Sequence, residues 1–430
     1  MPDPDTLHIK PGDPLRGETS VPGDKSLSHR AVMFGALAQG TSHIQGWLPA
    51  GDTLATLNAI RSLGVHIEGG DSSTLAIHGG ELHAPAQPLN LANAGTGLRL
   101  LAGILAGQPF PSILDGSPQL RRRPMTRITE PLRLMGAAVS DNDGYPPLHF
   151  QPAALHGIHY AMPVASAQVK SAILLAGLFA DDPTTVIQPG PARDHTERLL
   201  KAMGADLQTA GDRITLTPGN PLHPLDMTIP GDFSSAAFLL VAASIVPGSH
   251  LTLHNISINP TRTGLLGVLQ EMGADIFIVP TGKAGGDPVG CIVVQSAALG
   301  NTIISGQTVV RMIDEFPILM VAALCAEGIT EVRDARELRV KETDRIAVMA
   351  GELRKMGAVI EEQEDGFIIE GPQQLRGTVL EGHDDHRVAM SLAVAGLVAK
   401  GETTIHGAAC IADSFPGFAS VLRSLGADIQ

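Results

Sequence analysis

Hydrophobic and polar positions along the chain follow a unit that recurs six times. In each copy an amphipathic helical stretch ends in Leu-Gly or Met-Gly, and alternating apolar and polar residues after it predict a strand. A glycine directly after a helix is the expected left-handed cap. The cap glycines are Gly64, Gly136, Gly204, Gly273, Gly357 and Gly426, spaced 72, 68, 69, 84 and 69 residues apart. The long fourth spacing indicates an insertion, which we place in a loop over residues 281–287.

A second, more apolar helix precedes each cap helix. Ala, Leu, Val and Gly cover nearly all of its faces, which predicts burial on every side. These stretches are 28–38, 96–106, 168–179, 234–246, 316–326 and 387–399. Short strand candidates lie among the helices at 42–47, 73–79, 184–190, 250–256, 330–335 and 403–408.

Six such units predict an α/β protein with two compact bodies of three units each, because a single unit cannot bury its own apolar face. No long linker separates the halves, so we place the boundaries in the tight turns at Pro22-Gly23 and Pro230-Gly231. We expect one domain over 21–230 and a second domain, split in sequence, over 1–20 and 231–430.

Composition excludes several classes of protein. Lys and Arg number 30 and Asp and Glu 44, a net charge of −14, and aromatic residues make up 3% of the chain, which argues against a sequence-independent nucleic-acid binder. The three cysteines are far apart and indicate no disulfide framework. Residues 1–20 contain no basic region followed by an apolar core, and apolar runs such as 236–246 are shorter than the ~20 residues that cross a bilayer. We expect a cytoplasmic protein that binds no membrane.

Polar residues gather at the openings of the apolar helices, where a core has no need for them. The first opening contains Lys25, Ser26 and Arg30, and free backbone N–H groups, a hydroxyl and two cations at a helix start favour an anion. It is not a Walker A loop, because Asp24 stands where that motif has glycine. A helix cap with a surface ion pair explains this opening equally well.

Similar groups occur in the later copies, and helix caps or solvated faces remain open as explanations for each. They are Gly95 in a small-residue turn, Arg123 at the end of a three-arginine run, Ser166, Ala167, Gln168 and Lys170 at one helix start, Arg193 in a polar turn, Asp314 before an apolar helix, Lys341, Glu342 and Arg345 in a dense charged segment, and Arg387 after His383-Asp384-Asp385-His386. That last run lacks a recognisable metal-ligand spacing.

Taken together, these openings predict one ligand site. Six cations at comparable helix openings imply a small ligand with several negative charges: Lys25, Arg30, Arg123, Lys341, Arg345 and Arg387. Asp314 and Glu342 are candidate proton-transfer groups among them. Two bodies facing each other would bring these openings to one cleft.

At these residues the sequence resembles the 5-enolpyruvylshikimate-3-phosphate synthase (EPSP synthase) family of enolpyruvyl transferases. The motifs that carry the resemblance span the chain in the family's order: PGDKSLSHR, NAGTGLRLL, RRRPM, ASAQVKSA, RDHTE, IDEFP, RVKETDR and DDHRVAM. The first, fourth and fifth are closer to the class II branch. The resemblance implies a two-domain inside-out α/β barrel of six βαβαββ repeats, with the active site in the interdomain cleft.

The resemblance also implies an activity and the residues that perform it. The family transfers the carboxyvinyl group of phosphoenolpyruvate to the 5-hydroxyl of shikimate-3-phosphate and releases phosphate, with no metal or other cofactor. We expect a monomer. The catalytic residues would be Asp314, Glu342 and Lys25. Residues for shikimate-3-phosphate would be Lys25, Ser26, Arg30, Ser166, Ala167, Gln168, Arg193, Asp314 and Lys341. Residues for phosphoenolpyruvate would be Lys25, Gly95, Arg123, Gln168, Arg345 and Arg387.

Two residues depart from common family patterns. Asp413 stands where many members have lysine, which removes one cation expected near phosphoenolpyruvate, and Gly95 stands where class II members often have alanine. A related family that acts on UDP-N-acetylglucosamine is the alternative enzyme. Its usual Lys-Asn opening is Lys25-Ser26 here, and no cysteine occurs in 109–123. A repeat scaffold without activity would have no reason to keep cations and carboxylates at the helix openings.

Overall fold

The computed structural model describes residues 5–430, which form two compact units. One, here called the central unit, contains Gly23–Pro230 and Lys283–Asp287. The other, the split unit, contains the residues up to Pro22 together with Gly231–Gly282 and Pro288–Gln430. The domain limits expected from the sequence, 21–230 and 1–20 with 231–430, remain a prediction, and residues 1–4 of that division lie outside the described part of the chain.

Helices and short strands alternate through both units. The chain begins with two strands of the split unit, β1 (Thr6–Lys10) and β2 (Arg16–Thr19). The central unit follows with α1 (Lys25–Leu37), β3 (Gly40–Gln45), α2 (Gly51–Ser62), β4 (His66–Gly69), β5 (Leu75–Gly79), β6 (Leu89–Asn90), α3 (Gly95–Ala106), β7 (Ser112–Asp115), α4 (Thr126–Leu134), β8 (Ala138–Asn142), β9 (Tyr145–Gln151), β10 (His159–Ala161), α5 (Ala167–Gly177), β11 (Thr184–Ile187), α6 (His195–Ala202), β12 (Asp206–Ala210), β13 (Arg213–Thr217) and β14 (Met227–Thr228).

The remaining elements belong to the split unit, except for the tip of one hairpin. They are α7 (Phe233–Ile245), β15 (His250–Ser257), α8 (Gly264–Glu271), β16 (Asp275–Ala284), β17 (Asp287–Gln295), β18 (Ile303–Ile304), α9 (Gln307–Arg311), α10 (Phe316–Cys325), β19 (Gly328–Val332), α11 (Arg345–Lys355), β20 (Glu361–Gln363), β21 (Gly366–Gly371), β22 (Val379–Glu381), α12 (His386–Leu397), β23 (Thr403–His406), α13 (Phe418–Ser424) and β24 (Asp428–Ile429). Single 3-10 turns occur at Leu120–Arg122, Arg336–Val340 and Ala408–Asp413.

Each unit contains three four-stranded sheets. In the central unit the strand orders are β14-β3-β5-β4, β6-β7-β9-β8 and β10-β11-β13-β12. In every one the first pair is parallel and the others antiparallel, as a βαβαββ chain requires. The first sheet takes its outer strand from the end of the unit, since Met227 pairs with Ile44.

The sheets of the split unit are completed from the start of the chain. Their orders are β16-β17-β15-β2, β18-β19-β21-β20 and β22-β23-β1-β24. Strand β2 runs parallel to β15, with His250 opposite Arg16, and β1 lies antiparallel to both β23 and β24. Strands at both ends of the sequence therefore share one sheet.

The apolar helices lie inside the units, as predicted. Nearly every residue of α3, α7, α10 and α12 is buried, whereas the strands alternate buried and exposed positions. Each unit has its own hydrophobic core. The six cap glycines all adopt positive φ angles, from +89° to +108°. The predicted helices, caps and six-unit α/β architecture are confirmed, with helices inside and sheets outside.

The predicted loop at 281–287 is wrong. Residues up to Ala284 extend strand β16, and β17 begins at Asp287, so the inserted residues form a long hairpin with a tight turn at Gly285 and Gly286. Both glycines have positive φ, +54° and +84°, which a two-residue hairpin turn requires. The alternation of β16 is hidden in the sequence because most of its residues are exposed. None of the helices in residues 5–430 is long and apolar enough to cross a membrane.

Candidate active site

Lys25 and Ser26 are the first two residues of α1, and Asp24 fixes the start of that helix. The Asp24 carboxylate accepts a hydrogen bond of 2.8 Å from the backbone N–H of Leu27. Nζ of Lys25 lies 2.6 Å from a carboxylate oxygen of Asp52. This contact holds the ammonium group at a helix start, where backbone N–H groups favour an anion.

Arg30, one turn further along α1, is 2% exposed and lies among three helices. Its Nε donates to Oγ1 of Thr196 at 2.8 Å, Nη2 to Oγ of Ser171 at 3.1 Å, and Nη1 to the carbonyl oxygen of Ser26 at 3.0 Å. These acceptors are neutral, so they fix the plane of the guanidinium without contributing an opposite charge.

Helices α3 and α5 bring Gly95, Arg123 and Gln168 close to Arg99. A Cβ at Gly95 would lie 2.7 Å from Nη1 of Arg123. Because glycine has no Cβ, the guanidinium of Arg123 can occupy this position. Nη1 of Arg99 donates to Oε1 of Gln168 at 2.7 Å, and Nε2 of Gln168 donates to Oγ1 of Thr96 at 2.9 Å. The amide of Gln168 is therefore held at both ends.

The three-arginine run divides by position. Arg121 and Arg122 are exposed, whereas Arg123 is half-buried. Arg121 forms an ion pair with Asp115, and its hydrogen bond holds the pKa of that carboxyl below the ordinary value. Of the three, the structure brings Arg123 to the other site residues.

The opening of α5 is less rich in available charge than its sequence suggests. Ser166 is the N-cap and Ala167 the first helical residue, both half-buried. Lys170 is fully buried, with Nζ 2.6 Å from a carboxylate oxygen of Glu197. Lys170, noted in the sequence as a cation at this helix start but not among the six cations expected at the site, is thus paired within the core. Arg193 is half-buried in the turn before α6.

Asp314 lies within 4 Å of four cations in the split unit. Its Oδ1 is 3.5 Å from Nζ of Lys341 and 3.6 Å from Nη1 of Arg345. Its Oδ2 is 3.8 Å from Nη2 of Arg387 and 4.0 Å from Nη1 of Arg262. The carboxylate is 15% exposed, so these charges act through a partly desolvated environment.

Arg345 connects this group to two more carboxylates. It is 2% exposed, and it donates to Oδ2 of Asp385 at 2.8 Å and to Oε2 of Glu342 at 2.7 Å. Burial alone would lower the pKa of Arg345, but Asp385 and Glu342 raise it above the ordinary value. Burial would raise the pKa of Asp385, but Arg345 holds it below the ordinary value. Both groups stay charged, and Glu342 is held beside them.

Glu315, not Asp314, occupies the N-cap position of α10, and its side chain makes no capping hydrogen bond. Glu315 is buried and accepts a hydrogen bond from the hydroxyl of Ser234. Nη2 of Arg262 donates to that hydroxyl at 2.9 Å and to Oδ1 of Asp232 at 2.5 Å. The cap explanation for Asp314 is thus removed, because its carboxylate faces cations instead of helix N–H groups.

Four polar residues of these groups escaped the sequence reasoning: Asp52, Arg99, Arg262 and Asp385. Arg99 is the single charge in an apolar helix, which is a usable signal. Asp385 belongs to the charged run 383–386, which the sequence analysis considered only as a metal site, so its contact with Arg345 was not foreseen. Arg262 and Asp52 stand in ordinary polar segments and gave no signal. Asp413, the departure noted above, ends the 3-10 turn Ala408–Asp413.

Similarity to known proteins covers almost the whole chain. Residues 9–422 match the model of the family described as EPSP synthase (3-phosphoshikimate 1-carboxyvinyltransferase). The sequence is 52% identical to the 3-phosphoshikimate 1-carboxyvinyltransferase of Acidithiobacillus ferrooxidans, covering 97% of each chain. It is 50% identical to that of Desulforamulus reducens, covering 97% of this chain and 99% of the other. An EPSP synthase structure from Acinetobacter baumannii is similar with a TM-score of 0.89 and 46% identity, over 99% of both chains.

Proposed function

Because the chain belongs to the EPSP synthase family, we propose that it is a 3-phosphoshikimate 1-carboxyvinyltransferase. It transfers the carboxyvinyl group of phosphoenolpyruvate to the 5-hydroxyl of shikimate-3-phosphate and releases phosphate, in the shikimate pathway to chorismate. The relatives that share half of its residues over nearly their full length bear this name. Its substrates are small molecules with several negative charges.

The observation that carries the mechanism is the position of the Asp314 carboxylate within 4 Å of four cations. We propose that Asp314 accepts the proton of the 5-hydroxyl while the oxygen attacks C2 of phosphoenolpyruvate. Lys341, Arg345 and Arg387 then offset the repulsion between that carboxylate and the substrate anions. A general base at this position contributes a factor of about 10² to 10⁴ to the rate.

Glu342 supplies the second proton transfer in this proposal. Its carboxyl group protonates the methylene carbon of phosphoenolpyruvate during addition, which gives a tetrahedral intermediate. It removes a proton from the resulting methyl group as the C–O bond to phosphate breaks, and the hydroxyl proton held by Asp314 passes to the leaving phosphate, so the double bond is restored and protons balance. The hydrogen bond from Arg345 to Glu342 supports this role, since it fixes the carboxylate beside the charged group. Lys341 assists it.

The polar groups of the central unit bind the substrates in the proposal. Lys25, Ser26, Arg30, Ser166, Ala167, Gln168 and Arg193 contact shikimate-3-phosphate, together with Asp314 and Lys341. Lys25, Gly95, Arg123 and Gln168 contact phosphoenolpyruvate, together with Arg345 and Arg387. Each phosphate carries −1.5 to −2 charges near neutral pH, so a dense set of cations is needed to hold two such anions. Lys25 belongs to both sets and also stabilises developing charge.

The enzyme is proposed to act in the cytoplasm as a monomer. Light scattering coupled to size-exclusion chromatography should give the mass of one 44.8 kDa chain. A mass of two or more chains would contradict the monomer.

A phosphate-release assay with two alternative acceptors tests the function. Phosphate should appear with phosphoenolpyruvate plus shikimate-3-phosphate and not with phosphoenolpyruvate plus UDP-N-acetylglucosamine. Turnover of the nucleotide sugar alone would show that the chain has the activity of the related family. No turnover of either acceptor would favour a scaffold.

A further inference from the structure

Two histidines and a glutamate form a compact group on the outer face of the β14-β3-β5-β4 sheet. His66 and His78 are direct partners across the antiparallel strands β4 and β5, and Glu68 lies two residues after His66 on the same face. One nitrogen of each histidine and one carboxylate oxygen all lie within 4.8 Å of one another. It is the single group of at least three such ligands among residues 5–430.

The distances suit a first-row transition metal. Nε2 of His78 is 3.0 Å and Nε2 of His66 is 3.7 Å from Oε1 of Glu68. Ligands about 2.0–2.1 Å from a tetrahedral Zn²⁺ are about 3.4 Å apart, which is close to both separations. The imidazole rings are stacked, with centroids 5.0 Å apart and planes at 24°, so they must turn about their side-chain bonds to share one ion. The opposing position to Glu68 is Ala76, whose small side chain leaves the space above the strands to the imidazoles.

A third strand orients the more buried histidine. Oγ1 of Thr41 lies 3.0 Å from Nδ1 of His78, and the two residues are partners across β3 and β5. Nε2 of His78 donates to Oε1 of Glu68 at 3.0 Å in the metal-free chain. A bound metal ion would replace that proton, and Nδ1–H would then donate to the Thr41 hydroxyl. Partners of this kind fix the tautomer of metal-binding histidines.

We propose that His66, Glu68 and His78 bind one divalent transition-metal ion, with Zn²⁺ as the representative. Two imidazoles and a carboxylate are the ligands that Zn²⁺ and its neighbours prefer, whereas Mg²⁺ and Ca²⁺ prefer oxygen. The side chains of His66 and Glu68 are 73% and 62% exposed, so water completes the coordination. The site does not enter the proposed reaction, which needs no metal.

The chain contains a matched control on the split unit. His8 lies 3.3 Å from Glu402 and 3.2 Å from the hydroxyl of Thr404, which reproduces the carboxylate and threonine around a histidine. It has no second imidazole in its group. Loss of His8 should therefore leave metal binding unchanged.

Calorimetric titration of the chelator-treated full chain with Zn²⁺ tests the proposal. We expect one Zn²⁺ per chain, at least tenfold weaker binding in Thr41→Val, a larger loss in His66→Ala and in His78→Ala, and unchanged binding in His8→Ala. Added Mg²⁺ should not compete. Thermal unfolding without metal should be the same for all these exposed-site variants, which shows that each is folded.

Co²⁺ absorption separates this site from the cysteines. Visible bands should appear without a thiolate charge-transfer band and should disappear in His66→Ala/His78→Ala. Binding that survives the double substitution, is lost equally in His8→Ala, or shows thiolate ligation would overturn the proposal. Absence of Zn²⁺ binding to the unsubstituted chain would identify the group as a surface ion pair only.

Discussion

The buried arginines Arg30 of the central unit and Arg345 of the split unit differ in the groups that accept their hydrogen bonds. In the central unit, Arg30 donates to hydroxyls and a carbonyl oxygen, and Gln168 is fixed by Thr96 and Arg99. In the split unit, Arg345 donates to two carboxylates and lies near a third. Neutral acceptors orient a guanidinium without adding an opposite charge, whereas carboxylates offset its charge and can also carry protons.

Because of this difference, the polar groups of the two units are suited to different parts of the proposed reaction. A set of cations held by hydroxyls is suited to binding phosphate and carboxylate groups of substrates. A set that combines cations and carboxylates is suited to moving protons near those same anions. The contrast also predicts different energetic costs, because breaking a buried ion pair costs about 3–5 kcal/mol, whereas removing one hydroxyl acceptor from a guanidinium costs about 1.5–3 kcal/mol.

The largest expected effect follows from removing the proposed proton acceptor of the split unit, Asp314. Asp314→Asn should lower kcat by about 10² to 10⁴, since the amide keeps the shape but accepts no proton. Binding of shikimate-3-phosphate, measured by calorimetry, should stay within about tenfold, or 1.4 kcal/mol.

Asp141→Asn is the control for this substitution, because Asp141 pairs with Arg133 through a 2.8 Å contact and takes no part in the proposed reaction. Its kcat should be unchanged. An equal loss of turnover and binding in Asp314→Asn would assign Asp314 a structural role and remove the contrast.

The second effect compares one anchor from each unit. Asp385→Ala should destabilise the protein by about 3–5 kcal/mol, because it leaves the buried Arg345 without its fully buried carboxylate partner. Thr196→Val, which removes a hydroxyl acceptor from Arg30, should cost about 1.5–3 kcal/mol. Urea unfolding followed by circular dichroism measures both. Equal losses would show that the type of acceptor does not distinguish the units.

The third effect concerns the pH dependence of the central unit. Burial lowers the pKa of His29 from 6.5 to about 3, and Nδ1 lies 2.8 Å from the hydroxyl of Thr56. Between those values the unfolded chain binds a proton that the folded chain does not, so stability falls as pH decreases below 6.5. The slope is about 1.4 kcal/mol per pH unit.

Unfolding free energies of the natural chain and of His29→Asn, measured from pH 7 down to about pH 5, check this slope. In the variant, the slope of the unfolding free energy against pH should be smaller by the amount that one bound proton contributes. If both chains show the same slope, another group is responsible.

The smallest effect tests how tightly Gly95 packs against Arg123 in the central unit. Gly95→Ala puts a Cβ 2.7 Å from the end of Arg123, a flexible group that can shift. The KM for phosphoenolpyruvate should rise about tenfold, or 1.4 kcal/mol, with little change for shikimate-3-phosphate. Gly351→Ala is the control, because no atom lies within 4 Å of its added Cβ. If neither variant changes the KM for phosphoenolpyruvate, the proposed contact between Arg123 and that substrate is wrong.

The repeated architecture could be predicted because its signals are local. Each left-handed glycine follows a helix, and each buried helix is an uninterrupted apolar stretch, so Gly64 and α10 can be recognised without knowing their neighbours. The strands β1 and β2 could not be recognised in this way. Each has only four or five residues, and they form a strand by pairing with residues more than two hundred positions away. The hairpin of β16 was missed because its exposed residues show no alternation.

The charged residues of the site could be predicted from the sequence, whereas the contacts that hold them in place could be predicted less well. Asp314 and Arg345 stand out because a core does not require them. Lys170 looks the same in sequence, but its pairing with Glu197 in the core depends on the packing of α5 against α6. Arg262 reaches Asp314 from a different repeat, a proximity that no local pattern encodes.

The placement of β1 between β23 and β24 has a consequence for the order of folding during synthesis. Strands β1 and β2 leave the ribosome first, yet β15 is made only after the entire central stretch and β24 only at the end. The central unit has nearly all of its residues early and is expected to fold first, while β1 and β2 wait unpaired. Pairings of such long sequence separation are slow and expose strands to association. The nascent chain therefore has its greatest need for chaperone protection at its first twenty residues.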